Sequence, residues 1–239
     1  MPIWNGAERL TSSLQSIGSY LAERDYTTEL ILVDDHSDAA TAAAIDAFRQ
    51  TRPCVAVLRN DANRGKGFSV SRGMLHARGR IRVFTDADLA YPPEEIGKLL
   101  AEVAAGADIA IACRVLPESR YVMSPSFFSY LYTRHVMSRI FNGAVRYSLL
   151  PGILDTQAGL KAFTANAAEV IFPRVTIGGF GFDVEALYIA RLHGLRVRQT
   201  AVTFRYDDEP STVSFLRDVA RMVSDLGRIA WNGRGGRYE

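Results

Sequence analysis

The sequence predicts an α/β domain in which a mostly parallel sheet is flanked by helices on both faces. Three observations carry this prediction. The length of 239 residues is close to that of one large α/β domain. Helical and extended patterns alternate through the first half of the chain. The extended runs are short and apolar throughout, which is typical of strands covered by helices on each side.

Each predicted element has its own pattern. Pro2 to Trp4 leaves room for a stubby first strand only, unless the true start of the protein lies upstream. A helix follows, in which apolar residues recur at helical spacing, at Leu10, Leu14, Ile17 and Leu21. Further strands are predicted over residues 29–33, 55–58, 81–85, 107–113 and 197–204. Further helices are predicted over residues 39–50, 67–77, 182–193 and 211–231.

Two features mark the ends of predicted helices. Pro92 opens a helix carrying Ile96 and Leu99, because proline and acidic residues are favoured in a first turn. The last helix has Phe215, Val219, Met222, Leu226 and Ile229 at helical spacing, which indicates core packing. We expect residues 233–239, which follow it, to be frayed.

Composition excludes several classes of protein. With 48% hydrophobic and 23% charged residues, the chain is globular rather than disordered or fibrous. A net charge of +2 gives no indication of nucleic-acid binding. Cys54 and Cys113 are too few for a disulfide scaffold or a cysteine-rich zinc module, which favours the reducing cytoplasm. Without a long apolar run or a secretion signal, we expect a soluble chain or one that touches only a membrane surface.

Acidic residues follow two of the predicted strands. Asp34 and Asp35 come after the second strand, and Asp86 and Asp88 come after the strand at 81–85. Ligands of open α/β sheets bind at the carboxyl ends of the strands, and an Asp-x-Asp pair offers oxygen ligands for Mg²⁺ or Mn²⁺. With 15 aspartates in the chain, chance alone gives roughly one such pair, so two solvated loop aspartates are the alternative.

A glycine-rich stretch and a basic stretch supply the complementary charge. Residues 63–67, Asn-Arg-Gly-Lys-Gly, lead into a helix and could present backbone N–H groups to phosphates; a simple turn is the alternative. Residues 114–150 contain five arginines against the single acid Glu118, with aromatic residues between them. Within them, segment 124–150 is predicted either to lie among lipid headgroups or to pack as an amphipathic helix on the sheet.

Several segments occur in an order that resembles a known family. They are residues 2–5 (Pro-Ile-Trp-Asn), 32–37 (Leu-Val-Asp-Asp-His-Ser), 63–67, 84–89 (Phe-Thr-Asp-Ala-Asp-Leu), 113–114 (Cys-Arg), 155–161 (Asp-Thr-Gln-Ala-Gly-Leu-Lys) and 181–185 (Gly-Phe-Asp-Val-Glu). The whole resembles family-two glycosyltransferases of GT-A fold, with a Rossmann-like sheet. The later segments are most similar to the dolichyl-phosphate β-glucosyltransferase and polyprenyl-phosphate sugar transferase branch. Gly6, where the family has an acid, and Trp4, where it has tyrosine, depart from the pattern.

The resemblance implies an inverting transfer of a sugar from a nucleotide-sugar to a polyprenyl phosphate. It implies UDP-glucose as the first choice of donor and GDP-mannose as the second. Residues 1–113 would form the nucleotide-sugar half and residues 114–239 the acceptor half of a single domain. The implied setting is cytoplasmic, with peripheral contact at the cytoplasmic face of a membrane.

The resemblance also assigns roles to individual residues. The residues implied to bind the nucleotide-sugar are Pro2, Trp4, Asp34, Asp35, Lys66 and Asp86. Asp86 and Asp88 would hold Mg²⁺ or Mn²⁺, and Arg114 and Arg134 would grip the acceptor phosphate. Asp155 would order this site or act as a base, with N-capping of the next helix as the alternative.

Two other functions remain open at this point. The same fold could transfer a sugar to a hydroxyl of a glycan or small molecule, in which case Asp155 or Asp183 would be an essential base. Alternatively, the chain could bind nucleotide-sugars without catalysing transfer, an interpretation motivated by Gly6 and the short first strand.

Overall fold

A computed structural model describes residues 1–52, 54–123, 142–143, 145–206 and 215–239. The strands are β1 (Pro2–Ile3), β2 (Leu30–Asp34), β3 (Val55–Arg59), β4 (Ile81–Thr85), β5 (Ile109–Cys113), β6 (Arg120–Met123), β7 (Leu160–Thr164), β8 (Val197–Ala201) and β9 (Thr203–Tyr206). The helices are α1 (Ala7–Ala22), α2 (Ala39–Gln50), α3 (Lys66–His76), α4 (Glu95–Ala104), α5 (Ala165–Ile171), α6 (Phe182–Leu192) and α7 (Phe215–Arg234). Most of the predicted segment 124–150, including Arg134, lies outside the described residues.

Local side-chain chemistry sets where several helices begin. The Asp38 carboxylate caps α2 by accepting a hydrogen bond from the Thr41 N–H at 2.8 Å, and the Thr164 hydroxyl caps α5 in the same way. Gly6 precedes α1 with φ +88°, a left-handed conformation that an acidic residue would adopt only under strain. The departure from the family pattern at Gly6 therefore has a backbone reason.

The predicted elements of the first half are confirmed with small shifts in their bounds. Helix α4 begins at Glu95, because Pro92 lies in the turn before it. The predicted strand at 197–204 is two strands, β8 and β9, which separate at Val202. The sequence patterns did not predict β6, β7 or α5, each of seven residues or fewer.

The strand order explains how the chain brings its acidic loops together. Strands β1, β2 and β3 are parallel neighbours, and the second sheet has the order β4-β7-β5-β8. Strand β7 runs antiparallel to both β4 and β5, whereas β5–β8 and β6–β9 are parallel pairs. Most pairs between described strands are thus parallel, as predicted. The start of β7 meets the end of β4, with Thr85 opposite Leu160.

Apolar residues pack on both faces of the sheets. One cluster contains the buried residues of α1, α2 and α4, including Leu14, Ile45 and Leu99. The other contains those of α3, α5 and α6, together with Ile229 of α7. This confirms the predicted arrangement of helices on each side.

Candidate active site

The tandem aspartates Asp34 and Asp35 lie at the end of β2 and accept hydrogen bonds from the loops around them. The Asp35 carboxylate, which is buried, accepts hydrogen bonds from Asn60 Nδ2 at 2.6 Å and from the Arg64 and Gly65 N–H groups at 2.8 Å. Asp34 accepts a hydrogen bond from the Ser37 N–H at 2.9 Å. Asp35 therefore sets the shape of the glycine-rich loop at the carboxyl edge of the sheet, whereas Asp34 fixes the turn at Ser37.

The glycine-rich loop is held by close backbone contact with residues 176–181. The Gly67 N–H donates to the Gly178 carbonyl oxygen at 2.7 Å. Gly65 has φ +90°, and a Cβ there would lie 2.5 Å from the same carbonyl oxygen. Only glycine allows this approach, so Gly65 is required for the packing of residues 63–67 against residues 176–181.

Lys66 and Asp86 meet at the end of β4. The Lys66 Nζ lies 2.7 Å from Asp86 Oδ1 and 2.9 Å from Oδ2. Burial alone would lower the pKa of Lys66, but the charges of Asp86 and Asp183 outweigh it and raise that pKa. The lysine thus stays a cation beside the acidic pair, although it lies 20 residues earlier in the chain.

Asp86 and Asp88 suit a divalent cation that is shared with a phosphate ligand. Desolvation in the cleft, and then the charge of Asp86, raise the pKa of Asp88. A cation between the two carboxylates would relieve this repulsion. No group of three or more histidine, cysteine or acidic residues that could hold a metal occurs among the described residues. Mg²⁺ is commonly held by one or two carboxylates and by substrate phosphates, and Asp86 and Asp88 can supply that number of carboxylates.

A buried ion pair lies beneath this centre. The Lys161 Nζ of β7 donates to Asp183 Oδ1 at 2.6 Å and to the Ala158 carbonyl oxygen at 2.7 Å. Both side chains are almost completely buried. Burial lowers the pKa of Lys161 and raises the pKa of Asp183, in each case against the influence of the partner. The pair therefore holds the start of α6 against β7.

Lys161→Met should destabilise the fold strongly, because it leaves the Asp183 carboxylate buried without its partner. We expect the free energy of unfolding to fall by about 3–5 kcal/mol. Urea denaturation followed by circular dichroism measures the change. Adding Asp183→Asn to Lys161→Met should recover part of the loss, since a neutral amide is less costly to bury. A double variant no more stable than Lys161→Met would contradict the assignment.

Arg114 and Asp155 form a bidentate pair after β5. Arg114 Nε donates to Asp155 Oδ2 at 2.7 Å, and Arg114 Nη2 donates to Oδ1 at 2.8 Å. The Arg114 backbone N–H also donates to Oδ2, at 3.1 Å. Asp155 is 1% exposed, whereas the Arg114 side chain keeps 23% of its surface exposed. One edge of a fixed guanidinium is thereby available to a ligand.

The Asp155 carboxylate positions the Arg114 side chain through the hydrogen bonds that it accepts. Burial would raise the pKa of Asp155, but the charge and hydrogen bonds of Arg114 outweigh burial and hold it below its usual range. The next element is strand β7, so Asp155 has no helix to cap. A buried carboxylate with a lowered pKa is a poor proton acceptor, which favours the ordering role over the base.

The remaining residues that are predicted to bind the nucleotide-sugar lie at the amino terminus. Pro2 pairs with Val33 in the sheet, and Trp4 is 55% exposed at the end of β1. The backbone next to Trp4 is fixed, because the Asn5 N–H donates to Ser37 Oγ at 3.0 Å. An exposed indole on a fixed backbone can stack on a planar ligand such as a nucleobase.

Sequence reasoning missed two residues at this edge. A Cβ at Gly159 would overlap the Asp86 carboxylate, so this glycine makes room for it. The Phe180 ring is 46% exposed, and its centroid lies 5.8 Å from Lys66 Nζ. Both belong to recognised motif segments or lie next to one, but their role depends on contacts that no local pattern records. Two surface cavities, of about 310 and 330 Å³, lie elsewhere, beside Tyr20 and Tyr188.

Comparison with solved structures identifies the fold. A structure of glucosyl-3-phosphoglycerate synthase from Mycobacterium tuberculosis, in complex with Mn²⁺, UDP-glucose and phosphoglyceric acid, superimposes with a TM-score of 0.67. The sequence identity is 18%, and the match covers 95% of this chain and 77% of that one. The fold is therefore that of the GT-A glycosyltransferases, as the sequence predicted.

Sequence comparison identifies the family. The model of Glycosyl transferase family 2 matches residues 1–171. The dolichyl-phosphate beta-glucosyltransferase of Dictyostelium discoideum is 29% identical over 238 residues, which cover 96% of this chain and 72% of that protein. The enzyme of that name from Drosophila melanogaster is 32% identical over 228 residues, covering 90% and 68%. The chain belongs to glycosyl transferase family 2, and it is a glycosyltransferase.

Proposed function

We propose that this chain transfers glucose from UDP-glucose to dolichyl phosphate or a related polyprenyl phosphate, with inversion at the anomeric carbon. The observation that carries the proposal is the Arg114–Asp155 pair. It presents a fixed, partly exposed guanidinium at the carboxyl end of β5, on the sheet that also carries Asp86. The names of the relatives from Dictyostelium and Drosophila support the same donor sugar and acceptor.

The chemistry of the acceptor agrees with the charges at the site. A phosphate monoester is ionised at neutral pH and needs little help from a base. Its alignment and the neutralisation of its charge matter more. Asp155 is committed to Arg114, and Asp183 is buried against Lys161. Transfer to a neutral hydroxyl would need a base with access to the acceptor, which neither carboxylate offers.

On the donor side, Asp86 and Asp88 would hold Mg²⁺ or Mn²⁺ against the diphosphate. The metal would neutralise negative charge on the UDP leaving group. The Mn²⁺ and UDP-glucose in the Mycobacterium structure support this assignment. Pro2 and Trp4 would contact the base, while Asp34 and Asp35 shape the adjoining pocket.

In the proposed reaction, an oxygen of the acceptor phosphate attacks the anomeric carbon of glucose. The bond from that carbon to the diphosphate breaks on the opposite face, and the electron pair leaves with UDP. The products are a polyprenyl phosphate glucose and UDP. Arg114 holds the attacking phosphate in line, and Lys66 places positive charge beside Asp86 at the leaving group. Arg134, which lies outside the described residues, is proposed as the second cation for the acceptor.

The proposed acceptor indicates a membrane location, because a polyprenyl phosphate resides in a membrane. We propose peripheral contact at the cytoplasmic face, as the family resemblance implies. No helix among the described residues is both long and apolar enough to span a bilayer. Binding to vesicles that contain anionic lipid, and its loss at high salt, would measure this contact.

Donor turnover with and without a short polyprenyl phosphate tests the proposal. UDP-glucose and GDP-mannose are each supplied with Mn²⁺ or Mg²⁺, and release of the nucleoside diphosphate is measured. We expect UDP release from UDP-glucose only when the lipid phosphate is present. Release with a hydroxyl acceptor instead would favour transfer to a glycan or small molecule. Donor binding without release under any condition would indicate a binding protein.

Gly159→Ala should impair transfer without unfolding the chain. The added methyl group would displace the Asp86 carboxylate from Lys66, and a misplacement on this scale can cost about a hundredfold in rate. Steady-state UDP release measures the effect. The matched control is Gly227→Ala, at an exposed helical position where a Cβ meets no atom within 4 Å. Equal activity of the two variants would contradict the role of Gly159.

A further inference from the structure

A buried carboxylate in α6 collects four hydrogen bonds from distant parts of the chain. Glu185 is 0% exposed. Its Oε2 accepts from the Thr176 and Ile177 N–H groups, each at 2.8 Å, and its Oε1 accepts from the Thr176 hydroxyl at 2.7 Å. The fourth donor is the Tyr238 hydroxyl, 2.6 Å from Oε1. Because both oxygens are occupied, the backbone at Thr176 and Ile177 is fixed in one place.

Tyr238 is an integral part of this network. The expectation that residues 233–239 are frayed is wrong, because the Tyr238 side chain is 0% exposed. Its ring packs edge-on against Tyr188, with centroids 6.1 Å apart, and its hydroxyl accepts a hydrogen bond from Asn232 Nδ2 at 3.2 Å. The Tyr238 carbonyl oxygen lies 2.7 Å from His193 Nε2. Residues 233–239 are thus held in place by the contacts of Tyr238 with Tyr188, Asn232 and His193.

The backbone that Glu185 fixes leads directly into the donor site. Residues 178–181 come directly after Thr176 and Ile177 in the chain. The Gly178 carbonyl oxygen accepts a hydrogen bond from the Gly67 N–H. Two residues further on, the exposed Phe180 ring lies beside Lys66. Three hydrogen-bonded contacts, from Tyr238 to Glu185, from Ile177 to Glu185 and from Gly67 to Gly178, together with the covalent chain from Ile177 to Gly178, therefore connect Tyr238 to the loop that carries Lys66.

We propose that Tyr238 and Glu185 are positioning residues for the donor site. Through residues 176–181 they hold the Arg64–Gly67 backbone and the Phe180 ring where the diphosphate and the sugar of the donor bind. This inference rests on the proposed function for the identity of the donor. The connection between Tyr238 and the glycine-rich loop rests on the contacts alone and can be measured without turnover.

Amide hydrogen exchange tests the connection. In Tyr238→Phe, which keeps the ring and removes the hydroxyl, we expect exchange to accelerate by about tenfold at the Ile177 and Gly67 amides. Thr176→Ala, which removes a different donor to Glu185, should have the same effect. Tyr20→Phe is the matched control, because Tyr20 is also a buried tyrosine, but it lies in α1 and packs in the other apolar cluster. Unchanged exchange at both amides in Tyr238→Phe and Thr176→Ala would overturn the proposal.

Kinetics separate positioning from general stability. We expect KM for UDP-glucose to rise by about tenfold in Tyr238→Phe, with KM for the polyprenyl phosphate unchanged. Tyr20→Phe should lower Tm to a comparable extent and leave both KM values as in the wild type. Equal KM values in the two tyrosine variants would overturn the positioning role. If the wild type transferred nothing to a polyprenyl phosphate, the proposed function would fail, and calorimetric binding of UDP by the same variants would decide the inference.

Discussion

Arg114→Ala is expected to lower the rate of transfer to a polyprenyl phosphate by about 100- to 1,000-fold, because it removes the guanidinium that aligns the acceptor phosphate. Donor binding should stay close to that of the wild type, since Asp86, Asp88 and Lys66 are untouched. Initial rates with saturating lipid phosphate, together with calorimetric binding of UDP in the presence of Mn²⁺, measure the two effects separately.

A stability measurement and two further variants complete the test of Arg114→Ala. Arg114→Ala leaves Asp155 buried without a partner, so its Tm must be followed. Arg114→Lys retains the charge but cannot form the bidentate pair, and it should also be slow. Arg198→Ala, at an exposed position of β8, controls for the loss of an arginine outside the site. An equal loss of donor binding and transfer in Arg114→Ala would contradict the acceptor role.

Asp88→Ala should abolish the metal-dependent part of donor binding. The remaining carboxylate of Asp86 is already engaged by Lys66, so we expect the affinity for UDP in the presence of Mn²⁺ to fall by at least about a hundredfold. Isothermal titration of UDP, with the metal and with a chelator, measures the change. The variant should bind UDP as weakly as the chelated wild type and should gain nothing from added Mn²⁺.

A matched acidic variant completes this test. Asp25→Ala removes an exposed carboxylate before β2, away from the site, and should keep the full response to Mn²⁺. Full metal-dependent binding in Asp88→Ala would show that the cation is held elsewhere. The assignment of Asp88 as a ligand of the metal would then be wrong, whereas the role of Arg114 in binding the acceptor phosphate would be unaffected.

Much of the fold was predictable because its patterns are local. Helix α2 has the predicted bounds, and β4 does as well, since helical and strand periodicities extend over only a few residues. Strand β7 was missed because its sequence, Leu-Lys-Ala-Phe-Thr, carries a lysine in a buried run. That lysine can be buried only because Asp183, 22 residues later, neutralises it.

The candidate site likewise has features that local sequence predicts and features that depend on residues distant in the chain. The sequence by itself determined the order of strands and helices in the first half of the chain, the two acidic strand ends and the glycine-rich loop, because each depends on neighbours in the chain. Tertiary structure alone decided that Asp155 holds Arg114 across 41 residues, that Glu185 binds Tyr238 across 53, and that β7 reverses to bring Gly159 against Asp86. These pairings depend on desolvation and on hydrogen-bond partners that only the folded chain brings within reach.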